Sequence, residues 1–242
     1  MKKKEYDHVN SRLKVRNILQ FRDGIGIRKE EFRIVYEIWK EYFDEPILEI
    51  GSGEGLQYKL LRRYFQNVIP SDVNINRWDK SLGEIRKINS EQLPFDDNSI
   101  NTIYSSNVIE HIEDIKLALK EMRRVLKPDG YIIHLVPTVS WKVSHLFGYY
   151  PAKFRDLIAT GKLFKPFPSV HGVSKNNFYE LYNFSNRYWL KEFKNARLEL
   201  KGVENLLFYT PYRFFPNILK FRRKLASYGF VSCRAYLLSK LV

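Results

Sequence analysis

The strongest constraint on this chain is the run Ile47-Leu48-Glu49-Ile50-Gly51-Ser52-Gly53-Glu54-Gly55. Its short apolar part reads as a buried strand, and the alternating glycines that follow read as a tight bend. A bend without Cβ atoms lets backbone approach a ligand closely. In parallel α/β sheets the ligand crevice lies outside the carboxyl ends of the strands, so a cofactor belongs at this bend.

The spacing narrows the choice of ligand. A dinucleotide fingerprint is G-x-G-x-x-G, whereas this chain has G-x-G-x-G with Leu at position 56. A phosphate-gripping P-loop needs Lys and Ser or Thr after the bend, and that pair is missing. Glu49, just before the glycines, is a poor neighbour for a pyrophosphate and suits an ammonium or another cation. S-adenosylmethionine (SAM) carries both an ammonium and a sulfonium. Asp72 stands nineteen residues after Gly53, at the end of the next apolar run, where an acid can bond ribose hydroxyls.

Along the chain, the spacing predicts a helix over 29–43, from Phe32, Ile34, Val35, Ile38, Trp39 and Phe43, ended by Pro46. Strands follow at 47–50, 67–70 (running to Ser71-Asp72), 99–105 and 131–136, with helices at 56–65 and 112–126. Lys127-Pro128-Asp129-Gly130 reads as a stop and turn. The alternation predicts an α/β, Rossmann-like, doubly wound sheet of seven strands, mostly parallel with an antiparallel last strand. Residues 138–176 are aromatic, basic and irregular, and are expected to form an inserted cap over the sheet's carboxyl edge. Residues 177–195 read as helix, and 198–206 and 231–241 as closing strands. Residues 1–28 are expected to be a basic arm, and 29–242 a single domain.

Hydrophobic residues make up 44% of the 242, which excludes global disorder. A lone cysteine, Cys233, excludes an internal disulfide and a Cys-rich zinc site. No run approaches the roughly 18 apolar residues of a membrane span, and no signal-peptide pattern follows the basic start, so a cytoplasmic location is expected. The net charge of +14 is uneven: residues 1–29 carry +6, 30–152 carry −4 and 153–242 carry +12. Basic ends attract anionic partners or serve as a solubilising surface.

Four segments together resemble the class I SAM-dependent methyltransferases with an "LPF" segment. They are 47–55, Ser90-Glu91-Gln92-Leu93-Pro94-Phe95-Asp96-Asp97-Asn98-Ser99-Ile100, Ser105-Ser106-Asn107-Val108-Ile109-Glu110-His111-Ile112, and Val125-Leu126-Lys127-Pro128-Asp129-Gly130. The resemblance spans residues 47–137. It implies that Glu49, Gly51 and Gly53 line the methionine end of a SAM site, with Ser52 and Gly55 in the same cofactor-binding bend. Asp72 then meets the ribose, Ser90 and Glu91 lie near the adenine, and Asn107 faces the methyl group. Asn89 stands where the family often has Asp.

Methyl transfer is an in-line displacement that depends on positioning, sometimes with a base. His171, in Pro168-Ser169-Val170-His171-Gly172, and His111 are the candidate catalytic residues; His134 reads as a core histidine. Glu110-His111 also resembles the acid–acid–His step of some magnesium-dependent methyltransferases. Asn107 replaces the second acid, and a neutral amide weakens a hard-cation site, so no metal is expected. In the last third, His171-Gly172, residues 180–185, Trp189 and Leu207-Phe208-Tyr209-Thr210 resemble methyltransferases of bacterial surface-polysaccharide and lipopolysaccharide clusters. That implies O-methylation of a sugar, glycan or other small-molecule hydroxyl, nucleotide- or lipid-linked. Tyr149, Tyr150, Tyr179, Tyr182 and Trp189 are available to stack on sugar rings or to fill the core. The stretch 214–224 suits either an anionic membrane surface or a docked helix. Two alternatives stay open: an RNA methyltransferase using the basic C-terminal half, with nucleic acid ranked below a small acceptor, and a non-catalytic SAM-binding module.

Overall fold

The computed structural model describes residues 24–161, 163, 170–209 and 219–241. Helix α1 (Gly24–Trp39) leads through a 3-10 turn (Lys40–Tyr42) into β1 (Ile47–Ile50). Then follow α2 (Leu56–Leu61), β2 (Val68–Asp72), β3 (Arg86–Lys87), β4 (Ile100–Ser106), α3 (Ile115–Val125) and β5 (Leu126–Pro137). The last part holds α4 (Val139–Thr160), α5 (Asn177–Asn183), α6 (Asn186–Asn195), β6 (Leu198–Asn205), α7 (Leu219–Ser227) and β7 (Cys233–Lys240). Among the described residues the seven strands form one sheet in the order β3-β2-β1-β4-β5-β7-β6. All pairings are parallel except those of β7, which runs antiparallel to β5 and β6. The expected fold class is the observed one.

Both faces of this sheet are covered, which explains why β1 is apolar at successive positions instead of alternating. Ile47 packs with Phe32, Val35 and Trp39 of α1 and Leu60 and Leu61 of α2. Leu48 and Ile50 pack on the other face, with Ala118, Leu119 and Met122 of α3 and Trp189 and Phe193 of α6. The buried residues of α3, Ile115, Ala118, Leu119, Met122 and Val125, recur at helical spacing. Asp114 caps that helix, its Oδ1 accepting from the Leu117 N–H at 3.0 Å.

Several boundaries depart from the sequence reading. Residues 24–28 belong to α1 rather than to an arm; Ile27 packs on the core and Arg28 pairs with Glu31 at 2.6 Å. The remainder of the expected arm, 1–23, lies outside the described residues. The helix before Lys127-Pro128-Asp129-Gly130 does stop, at Val125, but this step lies inside β5 and is not a separate turn. It bulges within β5, because Ile100 pairs with Leu126 while Thr102 pairs with Tyr131. The segment expected to be irregular from 138 onward opens with the 22-residue helix α4, capped by Thr138. Pro151 inside α4 removes a backbone donor, and apolar residues surround the helix, so no single-faced periodicity shows. The helix expected over 177–195 is two, with Ser185 capping the second. Of the stretch 214–224, residues 214–218 lie outside the described residues. From Leu219 it is helical, and Arg222, buried, donates to the Phe208 carbonyl at 3.0 Å. None of the described helices is long and apolar enough to cross a membrane.

His134 is a core residue, as its place inside a strand suggests. It is fully buried in β5, its Nδ1 2.7 Å from the Ser105 hydroxyl on β4. Burial pushes its pKa down to about 3. An unfolded imidazole protonates near about 6.5, so the unfolded state binds more protons as pH falls from there towards the folded value. This histidine is therefore expected to remove about 2 kcal/mol of stability between pH 7 and pH 5. Urea unfolding across pH 4–7 should give a shallower pH slope for His134→Asn than for the natural chain. Equal slopes would assign the acid sensitivity elsewhere.

Candidate active site

The bend after β1 is shaped by β2. The Ser71 carbonyl accepts from both the Gly51 and Ser52 N–H groups, at 2.8 and 2.9 Å. The Asp72 carboxylate accepts from the Gly53 N–H at 2.8 Å and from Asn74 N–H at 2.9 Å. Gly51 and Gly53 have φ of 74° and 54°, a region that side chains disfavour. The two glycines meet different surroundings. A Cβ on Gly51 would collide with Val108 at 2.4 Å, so the bend is clasped against the turn after β4. A Cβ on Gly53 would meet nothing within 4 Å, because it faces an open crevice.

That crevice, about 620 Å³, lies at the switch point of the sheet, where β1 neighbours both β2 and β4. Gly51, Gly53, Asp72, Ser90, Glu91, Asn107 and His111 all line it, bringing together most of the residues expected from the sequence. Glu49, Ser52 and Gly55 do not reach its wall. Glu49 is buried behind the bend, accepting from the Ser52 hydroxyl at 2.8 Å. Burial raises its pKa to about 8, the nearby Asp72 charge adds to the rise, and the Ser52 bond opposes it. Asn107 ends β4 with φ of 57° and donates its N–H to the Leu135 carbonyl at 2.7 Å. The sequence reading missed Val73, Ile88 and Val108 on the wall; an apolar residue directly after Asp72 was the available signal for the first. Asn89, noted only as a departure from a pattern, also lines the crevice.

Around His111 on the crevice wall a second cluster forms, and His171, which belongs to it, does not itself line the crevice. His111 and His171 stack edge to face, with ring centroids 4.7 Å apart. Their Nε2 atoms lie 3.8 and 3.9 Å from the same carboxylate oxygen of Glu110. The Glu110 side chain is only 1% exposed, and neither of its oxygens has a hydrogen-bond partner. Burial pushes its pKa to about 8. His171 is held down to about 4, chiefly by burial and then by the His111 and Lys142 charges; burial also lowers His111. The loop bearing His171 is fastened at two points. The Val173 N–H donates to the Glu110 carbonyl at 3.0 Å, and the His171 N–H donates to Glu180 at 2.9 Å. Glu180 itself forms an ion pair of 2.5 Å with Lys142 of α4, both fully buried. Nothing in the local sequence around Lys142 or Glu180 marked this pair. Of the proposed stacking aromatics, Trp189 and Tyr149 are core residues, while Tyr150, Tyr179 and Tyr182 are exposed.

Residues 48–134 match the family described as "Methyltransferase domain". The ubiquinone/menaquinone biosynthesis C-methyltransferase UbiE of Rickettsia prowazekii is 30% identical over 125 residues, covering 42% of this chain and 50% of that protein. The mitochondrial arginine-hydroxylase NDUFAF5 of Danio rerio is 29% identical over 140 residues, covering 55% and 42%. The chain spans about half the length of the curated relatives it matches. A SAM-dependent methyltransferase from Methanosarcina mazei has the same fold, with a TM-score of 0.56 at 18% identity over 86% of this chain and 98% of that one. Residues 48–134 thus match a methyltransferase domain, and the chain has the fold of solved proteins that use S-adenosylmethionine (SAM) as cofactor.

The crevice fits that cofactor: it is large enough, it is bare of side chain at Gly53, and it presents the Asp72 carboxylate. Gly53→Arg should therefore weaken binding of S-adenosylhomocysteine by at least about 100-fold, roughly 2.7 kcal/mol. The same change should lower unfolding free energy by only about 1–2 kcal/mol, the strain of a side chain at positive φ. Calorimetric titration and urea unfolding check both; undiminished affinity would show that the crevice at Gly53 is not the cofactor's.

Proposed function

We propose that the chain is a SAM-dependent methyltransferase that methylates a hydroxyl of a sugar, glycan or other small molecule. The reading rests on the imidazole of His111 on the crevice wall and that of His171 packed against it, outside the wall itself. Bound SAM supplies a methyl group made electrophilic by its sulfonium. The rest of the work is positioning by the chain's own residues.

In this reading Asp72 holds the ribose hydroxyls, and Ser90 and Glu91 lie at the adenine end. Gly51 and Gly53 form the amino-acid end, Ser52 and Gly55 shape the bend behind it, and Glu49, buried behind that bend, gives up its proton so that its charge favours the ammonium from there. His171 remains neutral well below pH 7, so its free nitrogen can accept the hydrogen bond of an acceptor hydroxyl and take its proton. The weakness of so depressed a base makes orientation its larger contribution. Glu180 and Lys142 act through it as positioning residues, since they fix its backbone.

The exposed rings of Tyr150, Tyr179 and Tyr182, on α4 and α5, suit a sugar-bearing acceptor. The charge pattern favours a small acceptor over RNA. The crevice wall carries Asp72, Glu91 and Glu113 against one guanidinium, Arg77. The basic residues Lys116, Lys120, Arg123 and Arg197 line a separate depression against α3 and α6. Nucleic-acid binding calls for a basic path into the site.

The test is methyl transfer from radiolabelled SAM to nucleotide sugars, lipid-linked glycans and RNA in parallel. Label in the sugar-bearing fractions is expected; label confined to RNA would overturn the acceptor class. With the acceptor in hand, His171→Ala should lower kcat about 100-fold while leaving the affinity for S-adenosylhomocysteine within about twofold. An unchanged kcat would leave His171 a loop residue.

A further inference from the structure

We propose that Glu110, His111 and His171 form a binding site for one divalent transition-metal ion, with zinc as the reference ion. The three side chains each offer one ligand atom, and all these atoms lie within 4.8 Å of one another. Glu110 carries the argument. Its buried carboxylate has no hydrogen-bond partner, and among the described residues no lysine or arginine pairs with it. Among the described residues the ionisable side-chain atoms within 4 Å of it are two imidazole nitrogens at 3.8 and 3.9 Å, too far for hydrogen bonds; the Arg28 charge acts on it only from farther away. A buried carboxylate left in this state is costly, and an ion between it and the imidazoles would satisfy all three groups.

The geometry suits such an ion. Bonds of about 2.0–2.1 Å in a tetrahedral site put ligand atoms roughly 3.4 Å apart. The carboxylate–imidazole separations exceed this by about half an ångström and the longest separation, within 4.8 Å, by up to about 1.4 Å. The two rings, 45% exposed for His111 and 41% for His171, have room to rotate inward on an ion. Two nitrogens and one oxygen favour a borderline ion over magnesium or calcium, which prefer all-oxygen shells. This is why Asn107, which argues against a hard cation, does not argue against this site.

The surroundings are rigid in the way a metal site requires. Gly172 allows its loop to press on the Glu110 backbone; a Cβ there would lie 2.5 Å from the Glu110 carbonyl oxygen. Trp141 packs on the His171 ring at 4.9 Å between centroids. Three protein ligands leave at least one position open, as in catalytic zinc sites. His111 lies on the crevice wall, so the open position is where an acceptor oxygen would bind. In the loaded protein the imidazoles give their lone pairs to the ion, and the ion takes over their task of orienting the acceptor. That last step rests on the proposed methyl-transfer reading; the metal site itself does not.

The full-length chain, stripped with a chelator, is titrated with Zn²⁺ against a competing chromophoric chelator, and the ion content is measured after dialysis. One ion per chain is expected. Glu110→Gln and His171→Ala should each weaken binding at least about tenfold, while His145→Ala leaves it unchanged. Binding of S-adenosylhomocysteine and the circular dichroism spectrum establish that each variant is folded. No stoichiometric ion in the folded natural chain, or equal affinity in the Glu110 and His171 variants, would overturn the site. Either result would leave methyl transfer, read separately with SAM, to stand or fall on its own.

Discussion

The structure depends most on the way β2 holds the bend after β1. One carbonyl, that of Ser71, receives two N–H groups of the bend, and the Asp72 carboxylate receives a third from Gly53. These bonds make up for donors that a left-handed bend cannot pair within itself. They also fix the crevice wall before any ligand arrives. Because β1 lies centrally between β2 and β4, the same bend is clasped from the other side by Val108. The cofactor crevice is therefore a consequence of strand pairing, and the glycines permit it.

The cluster around Glu110 is built differently. Its residues come from separate parts of the chain: Glu110 and His111 follow β4, His171 belongs to the inserted segment, and Lys142 and Glu180 come from α4 and α5. Contacts among these parts are few but specific, and buried charges carry them. The Lys142–Glu180 pair is fully enclosed, so breaking it would leave an unpaired charge inside the protein. That pair anchors the loop that brings His171 over Glu110. Strand pairing builds the crevice, while the buried Lys142–Glu180 pair of α4 and α5 holds the loop that carries His171.

This division explains what could be read from the amino-acid sequence. The strand β1, the bend and Asp72 were legible because they are local: an apolar run, glycines and an acid at fixed spacing. Helix α3 was legible because one face is buried and the other is not. Helix α4 was not, since Pro151 and apolar residues on several faces conceal its period. The Lys-Pro-Asp-Gly step read as a turn because a wide bulge uses the same residues a turn would. The meeting of Glu110 with His171 could not be inferred at all, because it depends on a loop whose course is set by a distant ion pair. His111 and His171 were named for their residue type and position, and their shared contact with Glu110 came only from the fold.

The central proposal is electrostatic: Glu49, buried and protonated behind the bend, ionises when the cofactor's ammonium binds on the crevice side of that bend. Its pKa of about 8 makes it roughly 0.9 protonated at pH 7. The direct measurement is the proton count on binding S-adenosylhomocysteine, from calorimetry at pH 7 in buffers of different ionisation enthalpy. The natural chain should release about 0.9 proton more than Glu49→Gln. The same count in both proteins would contradict the assignment of Glu49 to the cofactor's cationic end.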